Sequence, residues 1–253
     1  MRSYLLVQIS DVHLTTTGTL PPGVRPRDNL VRTLGVLESS GLRPDVILLT
    51  GDLTNAGDAA CYDDLRALVA AAAFASDATV IYLPGNHDDR AAFRRHLLDR
   101  DGDAPVNQTH WRDGLRVIAL DSVVPGHDHG VLDADALGYL RAELATPAPD
   151  GTIVALHHPP IPSPIKPMAG IALRDPDALR DVIDGSDVRL VVAGHSHHEA
   201  LGVLGSTPVW VSPATAYRLD TTSTDAYQGY PGSAFSRIDL TPQGPVVTVI
   251  PVA

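Results

Sequence analysis

Seven side chains with metal-binding chemistry recur in this sequence, each just beyond an apolar run. Asp11-Val-His13 follows LLVQIS, and Gly51-Asp52 follows VILLT. Gly85-Asn86-His87-Asp88 follows VIYLP, His157-His158 follows IVAL, and Gly194-His195-Ser196-His197 follows LVVA. Taken singly, most of these motifs read as turn chemistry, in which Asp and Asn bond their own backbone. Jointly they do not, because turn chemistry has no reason to place carboxylates, an amide and imidazoles at every strand end. Two imidazoles at i, i+2 on an extended segment also share one face.

The donor types select the ion. Carboxylate oxygen, amide oxygen and imidazole nitrogen suit Mn²⁺, Fe²⁺/Fe³⁺, Zn²⁺ or Co²⁺, and the single cysteine, Cys61, leaves nothing for thiolate-seeking ions. Asp11, His13, Asp52, Asn86, His157, His195 and His197 outnumber the four ligands of a tetrahedral zinc site and suffice for two ions if one carboxylate bridges. Two ions ~3.5–4 Å apart clamp the attacking and leaving oxygens of a phosphoryl displacement. Two divalent ions against Asp11, Asp52 and a hydroxide leave a local charge of about +1, enough to hold an anionic phosphodiester.

The elements that must position these groups are visible as short Val-, Ile- and Leu-rich runs. Leu5–Ile9, Val46–Thr50, Val80–Leu83, Val117–Leu120, Ile153–Leu156, Leu190–Ala193, Val209–Ser212 and Val246–Ile250 are continuously apolar, as strands buried on both faces are. Helical patterns lie between them at Asn29–Ser39, Asp63–Phe74, Asp89–Leu98, Asp133–Ala145 and Pro176–Ile183. Asp133 is placed as an N-cap, and Pro176 sits where a first helical turn tolerates proline. The alternation predicts an α/β fold with outer helices, and ligands at the carboxyl ends of the strands. The last fifty residues carry strands without helices, so part of the sheet structure is expected to be mixed. Thr15–Arg27 and Pro159–Pro167 read as surface loops beside the site, and residues 1–253 as one domain.

Composition bounds the partners. The chain has 253 residues and a formal net charge of −11, from 19 Lys+Arg against 30 Asp+Glu. That balance disfavours duplex nucleic acid or an anionic membrane as a partner. The apolar runs are too short to cross a bilayer and no targeting segment is visible, so a cytoplasmic location is expected.

The order Asp-X-His, Gly-Asp, Gly-Asn-His-Asp, His, Gly-His-X-His resembles the calcineurin-like metallophosphoesterases. The fuller wording in HHPPIP, AGHSHH, GNHDDR and VPGHDHG is similar to bacterial class III 3′,5′-cyclic nucleotide phosphodiesterases. The resemblance implies a four-layered sandwich, two central mixed sheets flanked by helices, with a dinuclear site at the carboxyl ends of the strands. It assigns one ion to Asp11, His13 and His197, the other to Asn86, His157 and His195, with Asp52 bridging. His87 would contact the phosphate and protonate the leaving oxygen, with Asp88 orienting it. Asn86 and His197 would also face the substrate. Of the histidine pair, His157 is preferred as ligand, since it comes first off the strand, and His158 is expected just behind it. Cyclic AMP would give 5′-AMP. A homodimer is expected on family grounds alone.

The same ligands would serve a glycerophosphodiesterase or a broad phosphodiesterase, and a non-catalytic nucleotide- or metal-binding module is a further alternative. His127 and His129 follow the strand ending at Asp121 and are candidates for substrate contact, as solvated loop histidines would also be. Lys166, the only lysine, is read as solvated, and Trp210 and Tyr217 as packing residues more than as base-stacking ones.

Overall fold

The computed structural model describes residues 1–253. The chain begins β1 (Tyr4–Ile9), α1 (Pro26–Ser39), β2 (Val46–Thr50), α2 (Ala59–Ser76), β3 (Thr79–Leu83), α3 (Arg90–Leu98), β4 (Gln108–Arg112) and β5 (Leu115–Leu120). It continues α4 (Ala134–Leu144), β6 (Thr152–Leu156), α5 (Pro176–Ile183), β7 (Val188–Ala193), β8 (Ala200–Leu204) and β9 (Thr207–Val211). A small ribbon of β10 (Arg218–Leu219) and β11 (Gly229–Tyr230) precedes the long hairpin β12 (Ser233–Thr241) and β13 (Gly244–Val252).

Two sheets result, ordered β13-β12-β1-β2-β3 and β4-β5-β6-β7-β9-β8. The central strands β1-β2-β3 and β5-β6-β7-β9 are parallel, and the flanking strands β12, β13, β4 and β8 are antiparallel, so both sheets are mixed. Successive residues of a strand point to opposite faces, and here they enter different cores. Leu6, Leu48 and Ile81 join Val117, Ile153 and Val192 between the sheets, whereas Val7, Ile47 and Tyr82 face α1, α2 and α3. Ile118, Val154 and Val191 face α4 and α5 on the far side. The order is therefore helix, sheet, sheet, helix, four layers as expected.

The strands read from apolar runs are all present, with ends shifted by one or two residues. One reading needs correction: Val246–Ile250 is not buried on both faces but lies in β13, the edge strand, where Val246 is 55% exposed. The antiparallel strands β4, β8 and β12 went unread because each mixes polar or exposed residues with apolar ones; β12 alternates buried and half-buried positions along its second half. The Pro159–Pro167 loop leads into a short 3₁₀ turn at Lys166–Gly170. Asp133 caps α4 as expected, its carboxylate accepting from the Ala136 N–H at 2.8 Å. No helix is long and apolar enough to cross a membrane.

Candidate dinuclear metal centre

Five strands end at the same edge: β1, β2 and β3 from one sheet, β6 and β7 from the other. Beyond β1 and β2 the chains keep bonding, Asp11 N to Gly51 O at 3.1 Å and His13 N to Asp52 O at 2.8 Å. The backbone there is unusual. Asp11, His13, Asp52, His195 and His197 all adopt positive φ, between 49° and 69°. Asp and His tolerate this region better than most residues, and five of the nine non-glycine positions that adopt it lie at this edge. The glycines of the motifs allow close approach. A methyl group at Gly85 would overlap the Asp52 carboxylate, and one at Gly194 would overlap Ser10 Oγ and press on Asp11.

Two groups of donors meet at this edge. In the first, Asp11, His13, Asp52 and His197 place one donor atom each within 4.8 Å of one another, all buried. His13 Nε2 lies 3.0 Å from His197 Nε2, and His197 Nε2 lies 3.6 Å from Asp11 Oδ1. In the second, His157 Nε2 lies 3.2 Å from both Asn86 Oδ1 and His195 Nδ1. Asp52 Oδ2 stands between them, 3.6 Å from His13 Nε2 and 3.3 Å from His157 Nε2. Its other oxygen accepts the His87 backbone N–H at 2.9 Å, which fixes the carboxylate's orientation.

Backbone carbonyls set the tautomers. Thr50 O faces His157 Nδ1 at 2.8 Å, and Tyr217 O faces His197 Nδ1 at 3.0 Å. A carbonyl only accepts, so these nitrogens carry the proton and the Nε2 lone pairs turn inward. Acceptors then face acceptors, an arrangement that a cation reconciles. The donor set fits the two-ion chemistry read from the sequence. Electrostatics register the same pressure. Burial disfavours the His157 imidazolium, yet Asp52 and Asp11 outweigh it and raise its pKa to about 9. Burial lowers His195 to about 3 and pushes His13 and His158 well down. Against burial, His157 and His13 hold the Asp52 carboxyl well below the usual range.

Of the adjacent histidines, His157 reaches Asp52 and Asn86. His158 turns Nδ1 to Ser122 Oγ at 2.8 Å, packs its ring 4.7 Å from His195, and leaves Nε2 unpartnered. The expectation for Asp88 needs correction. Its carboxylate does not orient the His87 ring; it accepts from the N–H groups of Leu53, Thr54 and Gly85 and from the hydroxyls of Thr54 and Tyr62. A carboxylate at the mouth of a turn is drawn to the unpaired backbone N–H groups there, and Asp88 ties the β2 and β3 loops together. Burial and Asp52 raise its pKa to about 6 despite those donors. His87 Nδ1 faces Asn55 O instead, at 3.0 Å, and the ring stands edge-on to His13 at 4.8 Å.

His127 is exposed, His129 is buried, and the two rings pack on each other at 5.0 Å. Their loop approaches the site through Gly130, where a methyl group would overlap the His158 ring. Lys166 pairs with exposed Asp225, and Trp210 is buried with Nε1 donating to Ser236 Oγ, both as read. Tyr217 is not ordinary core: its ring lies 4.2 Å from that of His197. Asn55 and Ser122 belong to no strand-end motif, and no sequence signal pointed to them; Tyr217 was read only as a packing residue.

The fold and the sequence have counterparts. A dimetal phosphatase from Danio rerio superposes with a TM-score of 0.63 over 99% of each chain at 14% identity, a likeness of fold. A probable cyclic nucleotide phosphodiesterase of Rhodococcus erythropolis is 46% identical over 218 residues, covering 86% of this chain and 72% of that one. A cAMP/cGMP dual specificity phosphodiesterase of Mycobacterium tuberculosis is 48% identical over 221 residues, 87% of this chain and 70% of that one. Since residues 4–199, the stretch that carries every strand-end motif, match the calcineurin-like phosphoesterase family, the chain belongs to that family.

Proposed function

We propose that this protein hydrolyses 3′,5′-cyclic nucleotides to 5′-nucleotides, cyclic AMP to 5′-AMP among them, at a two-ion centre. The observation that carries the reading is Asp52 Oδ2, one oxygen shared between the Asp11–His13–His197 group and the Asn86–His157–His195 group. Asp11, His13 and His197 would hold one ion, Asn86, His157 and His195 the other, and Asp52 both. Oxygen and imidazole donors admit Mn²⁺, Fe²⁺/Fe³⁺ or Zn²⁺. When bound, such a pair supplies positive charge that activates water and stabilises the phosphoryl oxygens as charge develops on them. The names of the Rhodococcus erythropolis and Mycobacterium tuberculosis relatives support a cyclic nucleotide as substrate. The chain works as one unit, because both sheets contribute to the site.

The chain's own residues supply the rest. Hydrolysis adds hydroxide to phosphorus and breaks the bond to the 3′-oxygen, which departs needing a proton. His87 is the candidate donor. Asn55 O engages its Nδ1, which leaves Nε2 free, and the ring stands at the exposed side of the site next to His13. An imidazolium there gives its Nε2 proton to the leaving oxygen and regains it from water. Asp88 holds the loops that carry Asp52 and His87 in register.

The test is a substrate panel with Mn²⁺, with bound metal measured on the same preparations. The highest kcat/KM is expected for 3′,5′-cyclic nucleotides. Faster turnover of glycerophosphocholine would transfer the assignment to a glycerophosphodiesterase. No hydrolysis of any diester by protein carrying two ions would leave a binding module.

A further inference from the structure

One segment outside all five strand-end motifs, Thr215–Leu219, grips the donor set from behind. Thr215 N and Ala216 N donate to the carbonyls of Ser10 at 2.9 Å and Asp11 at 3.0 Å. Leu219 N donates to His197 O at 3.0 Å, and Tyr217 O accepts from His197 Nδ1 at 3.0 Å. The segment thereby joins the loop after β1 to the loop after β7, one from each sheet. It is itself pinned from α1, where buried Asn29 donates Nδ2 to Thr215 O at 3.1 Å and to Ala216 O at 2.8 Å.

Held this way, the Tyr217 ring lies on the His197 imidazole, centroids 4.2 Å apart and planes 39° apart, and 6.1 Å from the His13 ring. His197 sits at φ 51°, off any strand or helix, so secondary structure does not fix where its ring points. A single hydrogen bond to a carbonyl sets the tautomer but leaves the imidazole free to rock about that bond. The tyrosine face closes one side of that motion. The Tyr217 hydroxyl makes no hydrogen bond within the protein, so the contact is one of ring against ring.

We propose that Tyr217 is a positioning residue for metal binding, its ring keeping His197 Nε2 turned toward Asp11 and His13. The inference rests on the reading that Asp11, His13 and His197 hold an ion. Hydrogen-bonded partners that orient a ligand are worth about 10–100-fold in metal affinity, and a packing contact, which constrains the ring less tightly, is expected at about the lower bound. Its loss should fall on one ion only, since Tyr217 packs on His197 and His13 and on no ligand of the second group.

The experiment compares wild type with Tyr217→Phe, Tyr217→Leu and Tyr217→Ala in Co²⁺ titrations followed by visible absorption, with thermal unfolding of each metal-free protein. Wild type and Tyr217→Phe are expected to bind two ions with the same affinities and the same spectrum. Tyr217→Ala is expected to bind one ion about 10-fold more weakly with an altered band, the other ion keeping its affinity. Tyr217→Leu keeps the space filled and should lose less, which separates loss of orientation from loss of folding. Equal affinities and identical spectra across Phe, Leu and Ala overturn the positioning role. Wild-type protein that takes up fewer than two ions overturns the ligand reading instead.

Discussion

The two ends of the second sheet carry buried polar clusters of opposite character. At the amino-terminal end, Arg116 of β5 is 2% exposed and fully matched. Its Nε donates to Thr152 Oγ1 at 2.9 Å, one terminal nitrogen donates to the carbonyls of Glu143 and Thr146, and the other faces both oxygens of Asp187. Asp187 Oδ2 also accepts from Ala148 N and Thr152 Oγ1, each at 2.8 Å. Each of the three guanidinium nitrogens has an acceptor. At the carboxyl-terminal end, neutral His157 turns its Nε2 lone pair on the oxygens of Asn86 and Asp52, a clash that only a proton or a cation relieves. A buried polar cluster that closes on itself is scaffold; one that converges without donors is built to receive something. The difference follows from the parallel sheet, whose carboxyl ends open into the loops where ligands sit.

Breaking the open cluster should abolish chemistry and spare the fold. Asp52→Ala removes the oxygen shared by both groups, and kcat is expected to fall by ~10³-fold or more with loss of bound ions. Near-wild-type turnover with two ions retained would erase the contrast between the clusters. Breaking the closed cluster should do the reverse. Arg116→Met takes the guanidinium from half-buried Asp187 and leaves the carbonyls of Glu143 and Thr146 without it, at a cost of about 1–3 kcal/mol, read as a lower Tm or denaturant midpoint. Metal stoichiometry and the kcat of the folded fraction should be unchanged; loss of ions there would mean that the two ends are not independent.

Two smaller effects sharpen the picture. His87→Ala is expected to lower kcat by ~10²-fold while both ions stay bound, since His87 serves the leaving oxygen and not the metals. Loss of an ion in that variant would move His87 into the ligand set. The last prediction concerns the metal-free protein, where a proton on His157 takes the place of a cation. Its folded pKa is about 9 against an ordinary 6.5, so the stability it contributes is complete below about 6.5 and disappears as pH rises through about 9. The Tm of metal-free protein should decline across that window, while the Mn²⁺-loaded form, in which that proton is displaced, should not follow it. Parallel pH profiles for the two forms would show that His157 is not where proton and metal compete.

Much of this was legible before any coordinates. A buried parallel strand must be apolar on both faces, so β1, β2, β5, β6 and β7 announce themselves as runs, and the polar residue after each run is where a ligand can sit. The antiparallel edge strands β4, β8 and β13 expose alternate residues and lose that signature, which is why β4 and β8 passed unread and β13 was assigned the wrong environment, whereas the parallel edge strand β3 kept a readable run. Tyr62 and Asn29 gave no hint that they would hold loops of the site, because a tyrosine or an asparagine on a helix looks the same whether or not a carbonyl or carboxylate waits opposite.

The chain by itself determined the donor types, their order and the strands that carry them, because these depend on residue identity and on short-range periodicity. Only the tertiary structure decided who meets whom. His13 meets His197 across 184 residues, Asn55 rather than Asp88 takes the His87 ring, and Tyr217 settles on His197. Those pairings depend on how two sheets close face to face and on which loops then abut. That is a property of distant chain segments, and no local pattern encodes it.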